Sequence, residues 1–360
     1  MPTLFGKKYT KRELLDKVGD ISQIGGARQM KLVGGFQDGV DVVEFRTGSG
    51  LRFTAVPGRA LDISIAEFNG NPLAWCAAAG EVNAAYYDEQ GLGWLRSFFG
   101  GLVTTCGLTY AGAPCVDEGV ELGLHGRISS TPASNLWVDG KWDGDEYTMW
   151  AAGKMRESRL FGENMLLERK ISAVLGQNKL RIDDTVTNEG PRATPHMMLY
   201  HINAGFPVVD AGSELVAPIT STIPRDADAE VDAEHYYLCD PTTAGYRERA
   251  YFHELAADSE GFTCSAVINK SLVGGPFGFY VKYKKSELPK FVHWKMHSTQ
   301  ENVIGMEPAN CWVVGRDKER ERGTLQFLEP GESRSYGVEI GVLSTSKEVS
   351  DFERLVKSLK

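Results

Sequence analysis

Three ionisable side chains lie inside largely apolar, glycine-containing stretches. His125 lies in Gly123-Leu-His125-Gly126-Arg127, His201 in the run from Pro195 to Pro207, and Glu307 between Gly305 and Asn310, held extended by the proline that follows it. An imidazole titrates near pH ~6.5 and a carboxyl is lifted towards neutrality by an apolar surround, so these residues are equipment for general acid-base chemistry. Arg59, in a turn after Pro57-Gly58, and Arg96, just ahead of Phe98-Phe99-Gly100-Gly101, are the cations of the same set.

A second set could bind metal. His293-x-Lys-x-His297 puts two imidazoles on one face of a strand, and with Glu307, His196 or His201 it could hold an ion that polarises a carbonyl. His196 and His201 are five positions apart, which sends them to opposite faces of a regular strand. The alternating acids Asp226, Asp228, Glu230, Asp232 and Glu234 resemble a calcium loop, but Val231 stands where its sharp turn needs glycine, so the run reads as a solvated loop. Nucleotide-binding glycine loops, a nucleophile elbow and the paired-histidine protease motif are all absent, and no cofactor is called for.

The elements that must position these residues are strands. Asp41 to Thr47, Gly48-Ser49-Gly50 and Leu51 to Val56 spell strand, turn, strand, and Leu61 to Phe68 adds another before Asn69-Gly70-Asn71. The same grammar predicts a hairpin at Leu136–Val138, Asp139-Gly140 and Lys141-Trp142, a second at Leu166–Val174 and Leu180–Thr187, and a strand at Phe277–Tyr283. Helical signals are confined to the ends. Thr10-Lys-Arg-Glu13 is a capping box for a helix running towards Val18, and Thr345-Ser-Lys-Glu348 opens one with Val349, Phe352, Val356 and Leu359 at helical spacing. The fold class that follows is all-β. Its expected organisation is an N-terminal helical extension over 1–24, a sandwich over 25–344 and a C-terminal helix over 345–360.

Composition narrows the partners. The 360 residues carry a net charge of −9 without a basic block, which argues against nucleic acid. The opening residues lack a signal-peptide core and no stretch is long and apolar enough to span a bilayer, so a cytoplasmic protein with no membrane partner is expected. Six scattered cysteines without a Cys-x-x-Cys pair read as buried thiols. The 40 glycines exceed the usual share, and several flank the candidate residues, among them Gly58, Gly100, Gly101, Gly123, Gly126 and Gly305.

One segment carries a family likeness. Leu180-Arg-Ile-Asp-Asp-Thr-Val-Thr-Asn-Glu-Gly190, followed about ten residues later by His201-Ile-Asn-Ala-Gly-Phe206, resembles the aldose 1-epimerase (galactose mutarotase) pattern. There a strand ending in Thr-Asn-x-Gly leads to one ending in histidine. His125-Gly126, Glu307 and Leu328-Glu-Pro-Gly-Glu332 match further pieces. Phe98-Phe-Gly-Gly-Leu-Val-Thr-Thr-Cys-Gly-Leu108 and Leu124-His-Gly-Arg127 are most similar to an uncharacterised branch of that superfamily.

The resemblance implies a galactose mutarotase-like β-supersandwich, a carbohydrate substrate and anomer interconversion. By it His201 is the general acid that protonates the ring oxygen, Glu307 the base that takes the anomeric hydroxyl proton, His125 a substrate-orienting histidine and Arg96 a sugar-binding arginine. Asn203 and Trp294, with Trp75, Trp94 and Trp312 as further aromatic platforms, would complete the sugar contacts. A phosphosugar would need an arginine cluster, for which Arg59, Arg96 and Arg127 are the candidates. Two alternatives use the same fold: a metal-dependent sugar isomerase or C-epimerase, and a sugar-binding protein without turnover. A homo-oligomer is compatible with either.

Overall fold

The computed structural model describes residues 1–360. Two antiparallel sheets pack face to face. One has eight strands in the order Ser134–Asp143, Glu146–Ser158, Asn164–Val174, Lys179–Asn188, Ser333–Leu343, Phe277–Lys284, Phe262–Asn269 and Glu214–Val216. The other has eleven. Its path runs Ile219–Pro224, Arg249–Leu255, Lys290–Ser298, Glu301–Ala309, Met197–Ala204, Val103–Leu108, Asp62–Phe68, Leu51–Val56, Asp41–Arg46 and Gly26–Lys31, with the short strand Asn71–Pro72 beside Asp62–Phe68.

Sequence patterning explains which strands lie where. Lys179–Asn188 buries every second residue, with Leu180, Ile182 and Val186 facing the core, as a strand with one wet face should. Met197–Ala204 is different: all eight residues are buried. Its inner face, with Tyr200 and Ile202, belongs to the core between the sheets, and its outer face is covered by loops.

The two sheets are also bolted by charge. Arg169, on the eight-stranded sheet and without solvent exposure, pairs with Asp184 at 2.7 Å and reaches across to Asp62 at 2.8 Å. Tyr200 donates to Asp184 at 2.6 Å, so the strand that carries His201 is fixed from behind by this network.

The predicted strands at Asp41–Arg46, Leu51–Val56, Asp62–Phe68, Asn164–Val174, Lys179–Asn188 and Phe277–Lys284 are present. The hairpin expected at Asp139-Gly140 is not. Ser134–Asp143 runs straight through, and the turn falls at Gly144, between the paired residues Asp143 and Glu146. Gly140 serves packing: a Cβ there would stand 2.3 Å from the Tyr147 hydroxyl.

Both end helices form. At the N-terminus the capping box between Thr10 and Glu13 is complete, but the helix spans only Lys11–Leu15 and stops short of Val18, because Leu14 alone is buried along it. Ser346–Leu359 docks Val349, Phe352 and Val356 on Cys264, Ala266 and Ile268. No helix is long and apolar enough to cross a membrane. Of the six free cysteines Cys76 is exposed and Cys115 half-buried, which departs from the fully buried reading.

Candidate active site

His201 and Glu307 come from neighbouring central strands. The pairing of Leu199 with Ala309 and of Ile202 with Met306 sets a register in which His201 falls directly opposite Glu307, on the face turned away from the second sheet. The His201 Nε2 to Glu307 Oε1 distance is 3.2 Å, and both side chains are nearly inaccessible. This approach is not aligned as a hydrogen bond, so the buried Oε1 keeps no donor of its own. A carboxyl oxygen in that condition is ready to accept from a third group.

The tautomer of His201 is fixed by its neighbour. Asn203 Nδ2 lies 3.0–3.2 Å from the carbonyl oxygens of Gly100, Gly101 and His201, so it is the donor end of the amide. Asn203 Oδ1 must then accept, and it sits 2.6 Å from His201 Nδ1. The ring therefore carries hydrogen on Nδ1 and turns Nε2 towards Glu307. Burial pushes His201 down to about 4, against the pull of the Asn203 hydrogen bond. Burial drives Glu307 well above the usual carboxylate range, and the Glu248 carboxylate adds to it. One proton shared by a depressed imidazole and an elevated carboxyl is an acid-base pair in two arrangements.

Space for a ligand lies above the pair. A cavity of about 900 Å³ has His201, Glu307 and His125 in its wall, with Trp75, Trp94, Phe98 and Trp294 as aromatic surface. The rings of Phe98 and Trp294 each stand 5.3 Å from that of His201, and the His125 ring stands 5.8 Å away. His125 adopts a left-handed backbone with φ of 59°, and its Nδ1 accepts from the Gly112 N–H at 3.3 Å, which leaves Nε2 as the donor. Burial lowers it to about 3, with His201 contributing, so it acts as a neutral hydrogen-bonding ring. Gly305 makes room for the carboxyl: a Cβ there would meet Glu307 Oε1 at 2.5 Å.

The structure thus gathers His125, His201, Glu307 and Trp294 around one cavity, with Asn203 directly behind His201. The three arginines do not converge there. Arg59 is buried and gives its guanidinium to the carbonyls of Ser129, Val82 and Ser97 at 2.5–2.9 Å, so it ties together the loops that carry the cavity wall. Arg96 points to solvent, 3.9 Å from Asp88, and Arg127 is paired with Glu89. Trp312 stacks on Phe252 at 4.6 Å rather than lining the cavity.

The arginine that does line the cavity is Arg225, bonded to Glu248 and Asp226. It opens the acidic run read as a solvated loop. That run instead caps the short helix Ala227–Glu230 with Asp226 and sends Asp232 to the buried Lys295 at 2.6 Å.

The metal arrangement is overturned by register. Glu307 pairs with Val292, so it shares a face with Val292, Trp294 and Met296, while His293 and His297 point through the opposite face. His196 is held between the Leu108 carbonyl and the Tyr336 hydroxyl. No three histidine, cysteine or acidic side chains lie close enough to share an ion.

A family model described as a domain of unknown function (DUF4432) matches residues 37–342. The chain belongs to that family. Among solved structures it is similar to one named a putative aldose 1-epimerase from Klebsiella pneumoniae subsp. pneumoniae, at 26% identity and a TM-score of 0.88, covering 92% of this chain and 87% of that one. A galactose mutarotase-like protein from Clostridium acetobutylicum superposes with a TM-score of 0.63 at 12% identity, over 90% of this chain and all of that one. Galactose 1-epimerase from Lactobacillus acidophilus NCFM gives 0.53 at 12% identity, over 89% and 99% of the two chains. No curated protein matches the sequence. This DUF4432 member therefore has the β-sandwich fold seen in these aldose 1-epimerase and galactose mutarotase-like structures.

Proposed function

We propose that the protein is a cofactor-independent, aldose 1-epimerase-like isomerase that interconverts the anomers of a sugar. The observation that carries this reading is the His201–Glu307 pair, one potential acid and one potential base 3.2 Å apart in the wall of a ligand-sized cavity.

Opening a hemiacetal removes the proton from O1 and adds one to the ring oxygen. When a sugar enters, its anomeric hydroxyl donates to the unpartnered Glu307 oxygen, which favours the carboxylate and leaves the shared proton on His201 Nε2. Glu307 then takes the O1 proton while His201 delivers its own to the ring oxygen. The C1–O5 bond breaks and the open aldehyde forms. Rotation about C1–C2 and reclosure with the roles exchanged gives the other anomer, and the pair ends with the proton it began with. Each partner supplies about 10²–10⁴-fold. The neutral His125 orients a hydroxyl, and Trp294 or Trp75 lies under the apolar face of the ring.

Anomer-exchange NMR over pentoses, hexoses, ketoses and uronates tests the reading. Acceleration of at least one sugar is expected. A pure protein that accelerates none of them is not a mutarotase.

A further inference from the structure

The single arginine in the cavity wall is already occupied. Arg225 places Nη2 2.9 Å from Glu248 Oε1 and Nε 2.6 Å from Asp226 Oδ2. The other Glu248 oxygen accepts from the Trp294 indole N–H at 2.9 Å, so carboxylate, guanidinium and indole form one hydrogen-bonded edge at the solvent-facing rim of the cavity. The remaining ionisable lining comprises His125, His201, Glu301 and Glu307.

The fork cannot easily swing free. On the opposite face of the sheet Lys295, fully buried, holds Asp232 at 2.6 Å and Asp240 at 3.0 Å, and Arg249 joins both. Both acids belong to the segment that begins at Arg225 and ends at Glu248. Displacing Arg225 therefore works against a partly buried ion-pair cluster behind it, centred on the buried Lys295.

We infer that Glu248 is the residue that sets the charge class of the substrate. By holding the Arg225 fork it reserves the cavity for uncharged sugars and turns away uronates and sugar phosphates. This rests on the sugar-isomerase reading and adds which sugars the site takes. An anion leaving water needs a charge-assisted donor, best supplied by a free guanidinium fork. Here the guanidinium charge is already balanced by two carboxylates, Asp226 on Nε and Glu248 on Nη2, and Glu248 and Glu301 would face the incoming charge with charge of the same sign.

The test compares glucose with glucuronate and glucose 6-phosphate, and galactose with galacturonate. It uses anomer-exchange NMR for turnover and tryptophan fluorescence for binding, since Trp75 and Trp294 line the cavity. The wild-type protein should favour the neutral sugar at least tenfold in each pair. Glu248→Gln keeps the side-chain shape, removes one of the two carboxylates that balance Arg225 and should narrow the preference over the uronate at least tenfold, and adding Arg225→Gln should cancel that gain. A wild-type protein that takes either anion as well as its neutral partner overturns the proposal, as does a folded Glu248→Gln protein with an unchanged ratio. If no sugar is turned over, the acid-base reading falls alone. The fluorescence order still decides the charge class: tighter neutral binding upholds it and tighter anion binding sinks it.

Discussion

His201 and Glu307 are direct cross-strand partners, and Nε2 and Oε1 stand 3.2 Å apart on the face of the sheet that carries the cavity. Their separation is set by the strand register and by Asn203 rather than by a mobile loop. A pair built on central strands is rigid, which suits a reaction in which two protons must move at two oxygens of one ring.

Removing either member should stop turnover without unfolding the protein. Glu307→Gln conserves volume and removes the base, and His201→Ala removes the acid. Each is expected to lower kcat for anomer exchange by about 10²–10⁴-fold, with circular dichroism unchanged. Full activity in both variants would rule the assignment out.

Asn203 should matter through the tautomer it enforces. In Asn203→Asp the carboxylate still accepts from His201 Nδ1 but adds a negative charge at hydrogen-bond distance, which raises the His201 pKa by about 1–3 pH units. The acid limb of the rate profile should move up correspondingly. Asn203→Leu deletes the acceptor and leaves the carbonyls of Gly100, Gly101 and His201 without their amide donor, so kcat falls and stability drops by about 1–3 kcal/mol. An acid limb that stays in place in Asn203→Asp would show that Asn203 does not set the state of the ring.

How much of this could be read from residues alone follows from what kind of information each feature carries. Period-two alternation is local, so the strands were legible, and so was the all-β class. Capping boxes are local too, and both end helices start where Thr10 and Thr345 place them. Gly140 misled because glycine marks both turns and close approaches, and only the position of Tyr147 distinguishes them. His125, His201 and Glu307 stood out as polar residues in apolar runs, and the cavity brings them together. Arg59 stood out as a cation in a turn and supports the loops instead, because a buried guanidinium can be satisfied by three backbone carbonyls. Arg225 and Glu248 sit in a polar, acidic stretch where nothing local separates a cavity wall from a solvated loop. Their role depends on Lys295, which captures that segment through Asp232 and Asp240 from a strand far along the chain.

Gly305 should be intolerant of even one methyl group. Its added Cβ would lie 2.5 Å from Glu307 Oε1 and 3.0 Å from Trp294 Cβ, so the carboxyl must turn away from His201. Gly305→Ala is expected to lose at least tenfold in kcat while binding sugar nearly as well, since a misplacement of about 1 Å in a reacting group can cost 10²-fold. Titration of tryptophan fluorescence separates the two effects. A wild-type kcat in Gly305→Ala would mean that Glu307 does not need its present position.

The pH profile carries the signature of the shared proton. As pH falls through about 4, His201 gains a proton while Glu307, held high by burial, still keeps its own, and no base remains. As pH rises past the elevated titration of the pair, its last proton leaves and no acid remains. The expected kcat/KM profile is therefore a bell whose acid limb lies near pH 4, well below the ~6.5 of an unperturbed histidine, and whose alkaline limb lies above the ordinary carboxylate range. Both limbs belong to the pair and not to either residue. In Glu307→Gln the bell should be lost from whatever activity remains, because a single titrating group is left of the pair. An acid limb at pH 6.5 in the wild-type protein would contradict a neutral, buried His201.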